Sequence, residues 1–134
     1  MNVRALGASA LLVYLAAACS TGTTERPFGH SNANVTGTVT AGGSPASGSA
    51  VTATVLLASD CNGTVQAPVA LDPLAPVTSA SGAYAVNVAV MGFGTGAHCL
   101  VVTSQGTTVK QPDVLFRDSQ EGAPTDVVVD VHAP

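Results

Sequence analysis

The stretch Ser81–Val90, SGAYAVNVAV, alternates strictly. It sets Tyr84, Val86, Val88 and Val90 on one face of an extended chain, after a Ser-Gly pair of the kind that opens turns. A period of two with Val and Tyr on one side is the mark of a half-buried strand. The same signal recurs outward in both directions. Upstream, NVTGTVT (34–40) puts Val35, Gly37 and Val39 together, and AVTATVLLA (50–58) groups Val51, Ala53, Val55 and Leu57. Downstream, AHCLVVTS (97–104), TTVKQPDVLFR (107–117, broken at Pro112) and TDVVVDV (125–131) continue it. Between these, VQAPVALDPLAPVTSA (65–80) carries Pro68, Pro73 and Pro76, which exclude a central strand but allow short edge strands between them. No stretch beyond the first 33 residues shows a helical period. About seven short strands with regular turns predict an all-β fold, a single antiparallel β-sandwich with Greek-key connections over 34–134.

Composition narrows the function. Only 9% of the 134 residues are charged and the net charge is −4, with Arg4, Arg26, Lys110 and Arg117 scattered. No basic stripe exists to neutralise a phosphate backbone, so neither nucleic acid nor nucleotide is expected as a partner. Aromatic residues make up 4% and Trp is absent, too few for sugar- or base-stacking platforms.

The N-terminal part reads differently. After Arg4, the 14 residues Ala5–Ala18 are uncharged and largely apolar. That is shorter than the roughly 20 a membrane-spanning helix needs, and fits the apolar segment of an export signal. Ala16, Ala17, Ala18 and Cys19, with Leu15 before them, resemble the lipobox of a bacterial lipoprotein signal. The resemblance implies that 1–18 is removed and that Cys19 is lipidated, anchoring the chain to the membrane through palmitate-type acyl groups. Ser20 in the following position implies the outer membrane of the bacterial cell envelope. An ordinary cleavable signal, satisfied by the alanines alone, is the alternative. Residues 19–33, rich in Ser, Thr, Gly and Asn, read as a flexible tether.

With Cys19 taken by lipid, Cys61 and Cys99 remain as an even pair outside the reducing cytoplasm, where a disulfide is expected. Two free thiols or a metal pair are the alternatives, without a Cys-x-x-Cys spacing in their favour.

VTGTVTAGGSPASGSAVTATV (35–55) and TSASGAYAVNV (78–88) resemble the carboxypeptidase regulatory-like family, whose opening strand, Gly-Pro loop and Thr-x-x-x-Gly-x-Tyr strand start they match. The likeness runs from about Asn34 to Val131 and implies a prealbumin-like or Ig-like sandwich. Ser79 and Ser81 stand in a turn where that family commonly has Asp, and the Cys61–Thr78 loop is longer and richer in Pro.

GFGTGA (92–97), with Asp113 downstream, has dinucleotide-fingerprint spacing, but the strand HCLVVTS follows it where a helix is needed, and a Gly-rich hairpin accounts for it. His30, His98 and His132 share no ligand spacing; His98 is expected as a partly exposed strand residue. Asp60, Asn62 and Gly63 lack the twelve-residue calcium pattern and fit an Asx turn. Asp126 and Asp130, about 13 Å apart on an extended strand, are too distant for a retaining carboxylate pair and are expected to face solvent. Lys110, the only lysine, reads as an exposed edge residue. No catalytic residue, metal site or cofactor is expected. The reading is a non-enzymatic, lipid-anchored binding or structural module. The alternatives are an accessory subunit that pairs by its edge strand with an envelope protein, and a small metal-dependent hydrolase.

Overall fold

The computed structural model describes residues 30–134; the expected export signal, Cys19 and the tether up to Gly29 lie outside the described residues. Nine strands and no helix make up this part: β1 His30–Ala41, β2 Ser44–Pro45, β3 Val51–Leu56, β4 Val69–Asp72, β5 Ala83–Met91, β6 Gly96–Ser104, β7 Thr107–Asp118, β8 Thr125–Val128 and β9 Val131–Ala133. The fold is all-β and sandwich-like. The count exceeds seven because β2 has only two residues and because the last strand breaks in two at Val129 and Asp130.

β1 is the organiser. On one side it pairs antiparallel with β5 from His30 opposite Met91 to Thr38 opposite Ala83, and β4 continues that sheet beyond β5. On its other side β1 meets three elements in turn. Ser31 and Asn32 pair with the end of β7, Ala33–Thr36 pair parallel with β8, and Val39–Ala41 pair parallel with β9. The second sheet is β3-β6-β7, antiparallel throughout. β7 therefore belongs to both sheets and closes one side of the sandwich.

The opposite side is closed by the proline-rich segment. Leu57 N–H donates to the Val65 carbonyl and Ala67 N–H to the Val55 carbonyl, so 65–67 lies along β3. After Pro68 the chain crosses to pair with β5 as β4, then returns so that Val51 N–H donates to Pro76. Pro68 and Pro73 bracket β4, which is why it stays four residues long and at an edge.

Alternation decides the interior. Val35, Val39, Val88, Val90, Val102 and Val131 are fully buried between the sheets, with Leu100 and Phe116 as the large members. Each such side chain contributes roughly 1.5 to 3 kcal/mol relative to exposure. β1 begins four residues before the strand expected from Asn34, because Ser31 and Ala33 extend its inner face without announcing themselves as apolar.

Gly37 faces the break between β8 and β9. A side chain there would meet the Val129 carbonyl oxygen at 1.9 Å, so only glycine lets this strand and the last one approach. Val129 N–H donates to the Thr36 carbonyl, and the buried Tyr84 hydroxyl donates to the Val129 carbonyl at 2.6 Å. The Asp130 carboxylate takes the Thr38 N–H at 2.8 Å and its hydroxyl at 2.9 Å, standing in for the main-chain acceptor that the break removes.

Candidate functional site

On the outer face of the β4-β5-β1-β8 layer, one row of polar side chains crosses four strands. Asp72 is opposite Asn87, Asn87 opposite Asn34, and Asn34 opposite Asp126. Register alone brings these four together, since each takes an outward position between neighbours that, apart from Pro73, point to the inner face. Asn87 Nδ2 donates to Asn34 Oδ1 at 2.9 Å, and Asn34 Nδ2 donates to Asp126 Oδ1 at 3.1 Å. The Asn pair is thereby oriented by a carboxylate at one end.

The row lies along an open depression of about 440 Å³ that Thr36, Pro73 and Ala85 also line. Ala85 sits opposite Thr36, and its small side chain gives the depression its depth. The Asp72 carboxylate, the second Asp126 oxygen, Asn87 Oδ1 and the remaining amide hydrogens face outward, a mixed donor and acceptor display. Its two carboxylates stand three strand spacings apart, roughly 14 Å. Acid and base carboxylates that work on one glycosidic bond stand about 5 to 9.5 Å apart, so this pair cannot share a reacting bond. The arrangement can hold a ligand by hydrogen bonds.

A second cluster surrounds the cysteines. Cys61 and Cys99 form a disulfide with Cα atoms 5.1 Å apart. Cys99 lies at an irregularity where the β6-β7 register shifts between His98 and Leu100, opposite Pro112 and Asp113. Asp60 opens an Asx turn, its carboxylate accepting from Asn62 N–H and Nδ2, each at 3.0 Å. These bonds hold the Asp60 carboxyl below the usual carboxylate range.

His98 differs from expectation: it is buried. Its Nδ1 lies 3.2 Å from the Leu57 carbonyl, so that nitrogen carries the hydrogen, while Nε2 has no partner among the described residues. Phe93 meets it edge-on at 5.9 Å and Phe116 at 5.8 Å between centroids. Burial follows from the GFGTGA segment, which is not a hairpin. It carries the chain from β5 in one sheet to β6 in the other, and Phe93 folds over the imidazole on the way.

The remaining residues disperse. His30 begins β1 opposite Met91, and is a strand residue instead of part of the tether. His132 Nδ1 lies 2.9 Å from Thr40 Oγ1 on the opposite side of β1. Lys110 is exposed on β7. Asp126 and Asp130 are exposed as expected, but both are tied to β1 and their strand runs parallel to it. Among the described residues no three His, Cys, Asp or Glu side chains are grouped to hold a metal ion, and no helix is long and apolar enough to cross a membrane. The row from Asp72 to Asp126 escaped sequence reading because its members lie on four strands. The only local signal was a polar Asn87 and Asn34 at outward positions of otherwise small-residue faces.

No known protein family, curated protein or solved structure matches the chain.

Proposed function

We propose that this is an exported bacterial envelope protein, anchored through lipid on Cys19, whose β-sandwich serves as a non-enzymatic binding or structural module of the carboxypeptidase regulatory-like type. Location rests on the Ala5–Ala18 run and the small residues before Cys19. The observation that carries the functional reading is the Asp72–Asn87–Asn34–Asp126 row, in which a carboxylate holds two amides in line and the two carboxylates stand further apart than a glycosidase pair. Intact-mass analysis from a bacterial host, with and without reduction, tests the anchor. The expected product begins at Cys19 with acyl mass added, and Cys19→Ser moves the protein from the membrane to the soluble fraction. An uncleaved soluble chain with three titratable thiols overturns it.

A second reading, an accessory subunit in a larger envelope complex, draws on the proline-rich segment. Leu74 is 85% exposed, with Val65 and Val77 also outward on the same crossing. Isolated surface apolar side chains are ordinary, but three on one strap suit a partner contact. Leu74→Asp, at a position outside the core cluster, is expected to abolish co-purification of an envelope partner from detergent-solubilised membranes while leaving thermal stability unchanged. Unaltered recovery of the same partners removes this reading.

A further inference from the structure

We propose that Asn62 is a site of spontaneous chemical modification, converted to aspartyl and isoaspartyl residues by attack of the Gly63 main-chain nitrogen. The pair sits directly after Cys61, in a stretch with no regular structure, and the Asn62 side chain is exposed. Among the described residues Gly63 N–H makes no main-chain or side-chain hydrogen bond that would hold its nitrogen away from the Asn62 side chain, and no Cβ on Gly63 hinders the approach.

The other described asparagines differ in every respect. Asn32 and Asn34 lie within β1 and Asn87 within β5; each is followed by a residue with a side chain, and its main chain is held in a sheet. Reaction there requires strands to open, which is far rarer than the fluctuation of an exposed turn.

The fold itself retains this reactive pair. A Cβ on Gly63 would approach the Ala58 Cβ to 2.7 Å, so the position excludes larger residues. Asn62 adds a side-chain donor, Nδ2, to the main-chain N–H that any residue there would give Asp60. Each half of the dipeptide answers a separate structural need, and together they create the labile bond.

The step balances without an outside reagent other than water. Gly63 N loses its proton and forms a bond to Asn62 Cγ, the Cγ–Nδ2 bond breaks, and the amide nitrogen leaves as ammonia. Water then opens the five-membered imide at either carbonyl, giving an aspartyl or an isoaspartyl link. Either product replaces a donor to Asp60 by a second carboxylate, and the turn that carries Cys61 loses its clasp.

The test incubates the purified, disulfide-intact chain at 37 °C and mildly alkaline pH, followed by peptide mapping and isoaspartyl-specific methyl transfer. The expected result is a gain of about 1 Da, the change from amide to acid, in the peptide holding Asn62. It should accumulate at least about tenfold faster than at Asn32, Asn34 or Asn87, which are shielded by the sheets. Asn62→Gln, which keeps an amide donor but lengthens the ring that must close, should lose the signal. Equal rates at all four asparagines, or the same gain persisting in Asn62→Gln, overturn the proposal.

Discussion

Gly37, Tyr84 and Asp130 show how single positions hold the last strand against the first. Gly37→Ala drives a methyl group into the Val129 carbonyl, and a loss of roughly 3 kcal/mol or more in urea unfolding is expected, since the neighbour is backbone and cannot step aside. Tyr84→Phe leaves that carbonyl buried without its donor, at a cost of about 1 to 3 kcal/mol. Burial, and secondarily the Asp130 charge, pushes the Tyr84 hydroxyl up from 10.0 to about 12. Its folded value is raised above the unfolded one. The stabilisation is thus complete below pH 10 and disappears as pH rises through about 12. Alkaline unfolding followed by circular dichroism should show this step, and Tyr84→Phe should lack it. Asp130 has the opposite sign. Main-chain and hydroxyl donation from Thr38 hold its carboxyl low, so its contribution is present above the ordinary carboxylate range and is lost as pH falls through the depressed value. Asp130→Ala should flatten that part of the acid limb. None of these roles shows in local sequence, where Gly37 is one more small residue in an alternating strand.

Among the elements, the proline-rich segment and the Cys61 turn illustrate what periodicity conveys and what it omits. Alternation located β3, β5 and β6 and assigned the inner residues of β3 and β5, because a period of two is a property of the chain alone. It could not say that 65–78 crosses from β3 to β5 and back, since those bonds are made by short, irregular pieces without a pattern of their own. The disulfide secures the start of that crossing to β6. With 38 positions between its cysteines, its loss is worth up to about 4 kcal/mol on the chain-entropy account. Cys61→Ser combined with Cys99→Ser should lower the urea midpoint by a corresponding amount, with the denaturant dependence reporting whether the unfolded chain has expanded.

The described part of the molecule depends on its first and last strands meeting. β1 carries the N-terminal side of the described chain and β8 and β9 the C-terminal side, with partners such as Thr38 and Asp130 separated by 92 positions. Folding must close that loop before its bonds can form, so refolding in the millisecond-to-second range is expected in stopped-flow measurements, slower than for helical domains of this size. Removal of 125–134 strips β1 of its parallel partners and takes the buried Val129, Val131 and Ala133 out of the interior. That truncation should yield a chain without a cooperative thermal transition. The polar row on the outer face requires the same closure, for Asp126 reaches Asn34 only once β8 has docked. The chain's residue order was sufficient for the class of fold and for the inner faces of β3 and β5, because alternation is a one-dimensional property; it singled out Cys61 and Cys99 only through the expectation that Cys19 is taken by lipid. The parallel docking of the last strands, the burial of His98 and the assembly of four polar residues into one row came only with three dimensions, since each depends on a register between segments that no local pattern encodes.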